Sequence, residues 1–488
     1  MDILKAISAK QAEKFTENGC RALDSTSDDL LDLFAMGGAL RSRPADIFSM
    51  FSKAYNEDAL LATKLMFYIR DVRGGLGERA VFRAMLSDLA INHTDVVLKN
   101  IDNIPFYGRW DDMIIALMDT PAENAMVRAV KKQLSADYSK LVHDRVGEKD
   151  NHVVSLLAKW MPSINTSSPR TVELAKKLCN RLNMTECGYR KTLATIRRYL
   201  NVVEVNMSSD NYADINYEQV PSKAMNLYRN AFARNDDYRF SQYMNKVNNG
   251  TAEIKAGTLY PYDIVEKILD GVSDNVLEAQ WRALPNYVTG NQKFLVMADT
   301  SGSMYGRPLA TAVGLAIYFA ERNTGAYHNK FMTFSESPRL QEIKGSNLQE
   351  KVRNLARANW DMNTNLEKAF EVILDAAVEN HATQNDLPTS LVIISDMEID
   401  ECVNSADERT FYETMKKRYA DAGYQLPNLV FWNVDSRQNT VLADKNAKNV
   451  QLVSGQSATT FMNLATGYTP VEFMVHVLNA PRYDRVTI

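Results

Sequence analysis

The chain has 488 residues, 45% apolar and 24% charged, enough for two or three packed domains and too apolar for global disorder. Its 56 basic and 60 acidic residues leave a formal charge of −4, so the total charge demands neither nucleic acid nor an anionic membrane, and any such partner must be read from local patches. The four cysteines, Cys20, Cys179, Cys187 and Cys402, form no Cys-x-x-Cys pair, which argues against a zinc module or a disulfide framework and suits a reducing cytosol.

The N-terminus lacks the apolar core of a signal peptide, and no segment approaches the roughly 20 apolar residues that span a bilayer. A soluble, cytoplasmic protein without a membrane partner is expected. Up to about Tyr287 the apolar residues recur mostly at helical spacing, as in Leu61, Leu65, Tyr68 and Ile69, or Leu193, Ile196 and Leu200. Breakers at Gly37-Gly38, Gly74-Gly75, Pro105, Pro162, Pro169, Pro221 and Pro261 cut this half into pieces of helix length. Residues 1–287 therefore read as an α-helical domain, closer to stacked helix pairs than to one bundle, although no clean sequence repeat is visible.

Three segments of this half carry candidate anion chemistry. The first is Arg70-Asp71-Val72-Arg73-Gly74-Gly75-Leu76-Gly77-Glu78-Arg79, with Arg83 one turn on. Its glycines allow close backbone approach and its arginines can grip phosphate bidentately, but a tight interhelical turn held by Arg–Glu and Arg–Asp pairs explains it without a ligand. The second, Phe106-Tyr107-Gly108-Arg109-Trp110-Asp111-Asp112, sets aromatics beside an arginine, suited to stacking on unpaired bases or simply to packing. The third is residues 151–200, with nine basic and two acidic side chains. Arg190, Arg197 and Arg198 share one broad face of a helix expected at 188–200, beside Lys191, and Lys176, Lys177 and Arg181 lie on the preceding helix with Arg170 just upstream. Several cations on one surface are what phosphate binding requires, because each neutralised phosphate releases counterions. A solvated face balanced by acids elsewhere in space is the competing reading.

After the turn-rich stretch 285–292 the pattern changes. Short apolar runs at 294–298, 330–334, 391–394, 429–434 and 450–453 read as buried strands, with helices expected at 309–321, 348–356, 366–377 and 408–419. Strands alternating with helices, most strands almost wholly apolar, indicate a doubly wound parallel sheet covered on both faces, so residues 291–488 read as an α/β domain. The first of these strands is followed by Asp299-Thr300-Ser301-Gly302-Ser303-Met304. An Asp-x-Ser-x-Ser turn at the carboxyl end of a strand can set one carboxylate and two hydroxyls around one point. Those are hard oxygen donors of low total charge, as Mg²⁺ accepts when positions must stay open for water or an incoming acidic group. Glu398 and Asp400 extend an acidic run beyond Asp396, either as a solvated loop or as a negative rim that tunes metal affinity. No His or Lys stands nearby to act as a base, and the loop lacks the Lys-Ser/Thr ending of a phosphate-binding Walker loop, so catalysis is not expected.

On the Asp299-x-Ser301-x-Ser303 motif, residues 290–480 resemble the von Willebrand factor A domain with its metal-ion-dependent adhesion site. The resemblance implies two more ligands, Thr364 in Asn363-Thr364-Asn365 and Asp396 in Ile394-Ser395-Asp396, completing a five-residue set for Mg²⁺ or another divalent cation such as Mn²⁺. A mostly helical half followed by such a domain is similar in layout to the Ro RNA-binding proteins, in which helical TROVE repeats, HEAT-like in character, form a ring closed by the A domain. Residues 73–79, 157–162, 217–224 and 257–265 look closer to an uncharacterised family of the same layout. The resemblance implies an RNA partner for the helical half, with the A domain closing or regulating the particle. The alternative is a scaffold in which bound Mg²⁺ accepts a carboxylate from a protein partner.

Overall fold

The computed structural model describes residues 13–15, 21–146, 153–272, 274–288, 293–333, 337–357, 366–398, 411–464 and 467–488. Helices dominate from Asp29 to Arg282. Breakers stand where their backbone limits suit helix ends: Gly37 closes the helix Asp29–Met36, while Pro169 and Pro261 open the helices Pro169–Arg181 and Pro261–Leu269. Asp28 caps the first of these, its carboxylate accepting from the amide of Leu31 at 2.9 Å. Successive helices pack on one another, Asp29–Met36 on Ile47–Glu57 and that on Ala59–Arg70, as the broken helical periodicity implies.

This half also contains a short antiparallel ladder, β1 (Glu13–Phe15) with β2 (Arg21–Leu23), which helical spacing did not reveal. Leu23 extends it by pairing with Val441 of the α/β half, and that partner lies too far along the chain for local pattern to show.

The second half folds around a six-stranded sheet of β3 (Phe294–Ala298), β4 (Lys330–Thr333), β5 (Leu340–Glu342), β6 (Ser390–Ser395), β7 (Asn428–Asn433) and β8 (Val450–Ser454). Its order is β5-β4-β3-β6-β7-β8. All neighbours are parallel except β4 and β5, so the sheet is mixed and the expected all-parallel sheet is corrected at one edge. β5 escaped the pattern because it is three residues long and largely solvent-facing, with no apolar run. β3, β6, β7 and β8 are buried throughout, which is why they read as continuous apolar runs. The helices Arg307–Arg322, Leu348–Ala356, Leu366–Glu379 and Phe411–Asp421 alternate with them.

The two halves share one apolar core, running from Leu30 through Ile69, Met113 and Trp281 into the sheet. A smaller second core joins Val203, Tyr217, Phe232, Phe240 and Ala279. The chain then returns to the helical half: the helix Pro470–Leu478 packs on Asp29–Met36 and Ala59–Arg70. Beyond it the Arg482 guanidinium donates to Asp71 Oδ1 at 2.7 Å, Tyr107 donates to the Arg482 carbonyl at 2.6 Å, and Arg485 Nε donates to Asn103 at 2.7 Å. Asp71 is fully buried, and a buried carboxylate is tolerable only with such a partner. Among the described residues no helix is long and apolar enough to cross a membrane. Cys179 and Cys187 are free thiols, buried and exposed respectively; Cys20 and Cys402 lie outside the described residues.

Candidate metal centre

Strand order reverses between β3 and β6, and in an open α/β sheet that reversal opens a crevice at the carboxyl ends of the strands. The register sets Ala298 opposite Ile394, so Asp299 leaves the sheet beside Ser395 and Asp396, with its amide on the Ile394 carbonyl at 2.8 Å. Asp299 is 2% exposed and Asp396 3%. Asp299 Oδ1 accepts from the Ser301 amide at 2.8 Å, and Oδ2 from the Ser395 hydroxyl at 2.7 Å. The hydroxyls of Ser301 and Ser303 stand 2.8 Å apart on the solvent side.

Asp396 is less well satisfied. Its Oδ1 accepts from the Glu398 amide at 3.2 Å, but its buried Oδ2 has no hydrogen-bond partner among the described residues, with the half-exposed Arg437 guanidinium 3.5 Å away. Burial pushes the Asp299 carboxyl above the usual carboxylate range, and the charge of Asp396 pushes it further, against the hydrogen bonds from Ser301 and Ser395. Met397, next in the chain, holds a left-handed φ of 64°, a conformation that bulky side chains rarely take and that tends to mark functional loops.

Two adjoining carboxylates almost removed from water, with hydroxyls at their mouth, suit a hard cation. The residues therefore fit the divalent ion that the motif implies, and the Oδ2 of Asp396, buried and without a hydrogen bond, is the observation that favours it. Among the described residues no group of three or more His, Cys, Asp or Glu side chains is placed to hold a metal. The structure brings Asp299, Ser301, Ser303 and Asp396 together; Thr364 and Asp400 lie outside the described residues. Ser395 and Arg437 were missed by sequence reasoning. Ser395 stood inside the Ile394-Ser395-Asp396 string, whereas nothing local marked Arg437, which approaches from the loop after β7.

The same edge is sealed where β7 and β8 end. Ser454 accepts from the Gly38 amide at 2.9 Å and donates to the Phe34 carbonyl at 3.1 Å, while Thr459 donates to the Gly75 carbonyl at 2.7 Å. Arg41 forks onto buried Glu78 and reaches Gln456. A Cβ at Gly38 would fall 2.6 Å from the backbone of Ser454 and Gly455, so only glycine permits this approach.

The basic stripe is partly consumed by the fold. Lys177 pairs with Asp119 at 2.9 Å, Arg181 with Glu123 at 2.5 Å, and Lys176 with Glu186 at 3.6 Å. Arg197 is half-buried and clamps the Ala158 and Met161 carbonyls and the Ser163 hydroxyl, each at 2.8 Å, so its place in a surface stripe is corrected to that of a brace. Arg190 faces the Asn165 amide, whose oxygen accepts at 3.0 and 3.2 Å. Arg170, Lys191 and Arg198 are exposed without an acidic partner among the described residues. In the glycine-rich segment the interhelical-turn reading holds for Arg70 and Arg83: Arg70 Nε and Arg83 Nε donate to opposite oxygens of buried Asp112 at 2.7 Å, and Arg83 reaches Asp111 at 2.8 Å.

Comparison with known proteins finds two family models, both described as domains of unknown function. DUF2828 matches residues 16–110 and 183–291, and DUF7788 matches 293–470. The uncharacterized protein L728 of Acanthamoeba polyphaga mimivirus is 30% identical over 499 residues, spanning 95% of this chain and 87% of its own length. The crystal structure of the RO (RSR) protein of Deinococcus radiodurans aligns over 93% of this chain and 99% of that one, at 11% identity and a TM-score of 0.35.

Proposed function

Because the chain belongs to the same family as the uncharacterized mimivirus protein L728, whose name assigns no activity, we propose a function from its own geometry: a divalent-cation-dependent interaction protein, not an enzyme, acting in the cytoplasm. The observation that carries this reading is the pair Asp299 and Asp396, adjacent, almost fully buried and only partly hydrogen-bonded at the switch point of the sheet. Asp299, Ser301, Ser303 and Asp396, with Thr364 from the resemblance, would hold Mg²⁺ or Mn²⁺. When bound, the ion supplies a Lewis-acidic position that a carboxylate from a partner completes. Ser395 and the Ser301 amide hold the Asp299 carboxylate in place, so the chain's own groups are preorganised for the ion. Tyr305, 88% exposed beside the motif, offers an aromatic contact for the same partner. The helical half acts as scaffold, sealing the neighbouring part of the edge.

Titration with Mn²⁺ followed by electron paramagnetic resonance tests the reading, with circular dichroism as folding control. The parent should deplete the free-ion signal saturably and Asp299→Ala should not; equal depletion by both would sink the assignment.

A second, Ro-like reading, RNA on the helical half with the α/β half closing or regulating the particle, is favoured by exposed Arg170, Arg190, Lys191 and Arg198. Phosphate contacts of this kind weaken steeply with salt and do not read sequence. Charge reversal at Arg190, Lys191 and Arg198, leaving the brace Arg197 intact, should weaken filter binding of every RNA by a similar factor. Salt-independent binding, or a variant that binds like the parent, would remove this reading.

A further inference from the structure

Two segments that sequence analysis kept apart, the glycine-rich turn and the Arg109 segment, meet in space around Asp112. Four arginines gather there: Arg70, Arg79, Arg83 and Arg109. Asp112 is taken up by Arg70 and Arg83, while Asp111 pairs with Arg83 through one oxygen and keeps a second, buried oxygen without a hydrogen bond. Glu78, the acid next to Arg79, is engaged by Arg41. Arg79 and Arg109 are left without an acidic partner among the described residues.

Arg109 is half-buried with its guanidinium carbon over the indole of Trp160, 4.1 Å from the ring centroid, and Lys159 approaches the same ring at 5.7 Å. A guanidinium stacked on a ring has its N–H donors directed edgewise in its own plane, and no acceptor for them is found among the described residues. Trp160 is itself held by Arg197, which clamps the carbonyls of Ala158 and Met161 on either side of it. Burial lowers the Arg109 pKa to about 10, with Arg79 and Arg70 adding to the effect and Asp111 and Asp112 opposing it. A desolvated cation among like charges is unfavourable unless an anion joins it. Lys159 also lines a cleft of about 140 Å³ with Asn201, Asn206, Asn216 and Gln219 among its other lining residues, room for the uncharged part of a ligand.

We propose that Arg109 and Lys159, both set against Trp160, form with Arg79, the neighbour of Arg109, a binding site for a phosphate group. Arg109 offers the planar donor fork, Arg79 and Lys159 supply charge, and Trp160 fixes the fork's orientation. The site requires no divalent ion and is separate from the centre at Asp299. The phosphate belongs either to a small phosphorylated molecule or to a nucleic-acid backbone.

Calorimetric titration with inorganic phosphate, and anisotropy of a short fluorescein-labelled oligouridylate, both in chelator and low salt, test the proposal and leave the metal centre uninvolved. The parent should bind at least one probe saturably. Arg109→Gln and Arg79→Gln should each weaken it about tenfold or more, Arg109→Lys less than Arg109→Gln, and Arg282→Gln, at an exposed arginine elsewhere, not at all. Phosphate binding without oligonucleotide binding points to a small molecule and leaves the RNA reading unsupported; oligonucleotide binding alone, lost with Arg109, points to the phosphodiester. If Arg109→Gln fails to fold, Arg79→Gln decides, since that side chain is exposed. No saturable binding of either probe by the parent, or variants that bind like it, would overturn the site.

Discussion

The carboxyl edge of the six-stranded sheet is finished in two ways along its length. At β7 and β8 the helical half presses in: Gly38 lies against Ser454 and Gly455, Arg41 spans Glu78 and Gln456, and the hydroxyls of Ser454 and Thr459 all meet carbonyls or amides. At β3 and β6 nothing of the helical half is hydrogen-bonded to the carboxylates among the described residues, and Asp396 keeps an oxygen without a hydrogen bond. Burial is similar at both places, and each keeps buried oxygens without a hydrogen bond, but those at the joint, Asn433 Oδ1 and Thr460 Oγ1, are neutral, whereas that of Asp396 belongs to a carboxylate, whose desolvation costs more. A polar group buried and matched is a structural joint, whereas a charge buried and unmatched is where an external ligand gains most free energy.

The largest effect should come from breaking the joint. Gly38→Val places side-chain atoms into the backbone of Ser454 and Gly455, and a loss of about 3 kcal/mol or more is expected in denaturant unfolding. Gly302→Ala in the loop after β3 has open space around its Cβ and should change stability by less than about 0.5 kcal/mol. Similar costs for the two would erase the contrast. Next, Arg41→Ala strands Glu78, whose side chain is 2% exposed, and should cost about 3 kcal/mol, because the carboxylate stays buried without its cation. A melting temperature unchanged by this substitution would mean that the joint is not held by charge.

At the other end of the edge, millimolar Mg²⁺ should stabilise the parent by about 1–3 kcal/mol, as expected for a ligand well above its dissociation constant that binds only the folded state. Asp299→Asn should abolish that gain while leaving the circular dichroism spectrum intact; a variant still stabilised by Mg²⁺ would refute the ligand role. The smallest effect concerns Arg437, which stands 3.5 Å from Asp396 and partly offsets its charge. Arg437→Gln should tighten Mg²⁺ binding roughly two- to threefold, consistent with the sub-kilocalorie worth of a pair whose cation is 40% exposed to solvent. Weaker binding in that variant would make Arg437 a positioning group instead of a competitor.

What the chain disclosed in advance follows from how local each feature is. β3, β6, β7 and β8 were legible because strands buried on both faces need unbroken apolar runs, and the helix Leu348–Ala356 because its apolar stripe is regular. Asp299, Ser301 and Ser303 announced themselves within five residues. The antiparallel edge β5 and the ladder Glu13–Leu23 carry no such pattern, and the meeting of Arg109 with Trp160 depends on a contact across tens of residues. Arg197 misled for the same reason: helical spacing placed it on a face with Arg190 and Arg198, but spacing does not say that carbonyls of another helix wait beneath it.

The junction between Asp71 and Arg482 has a consequence for biosynthesis. The two residues are 411 positions apart. At about 5–20 residues per second, roughly 20–80 s separate the emergence of the aspartate from that of its arginine. Throughout that interval the helices around Ala59–Arg70 lack both their counter-ion and the Pro470–Leu478 helix that covers them. The early half must wait in an open, hydrated arrangement, offering apolar surface to chaperones, and closes only when translation has delivered the segment that completes it.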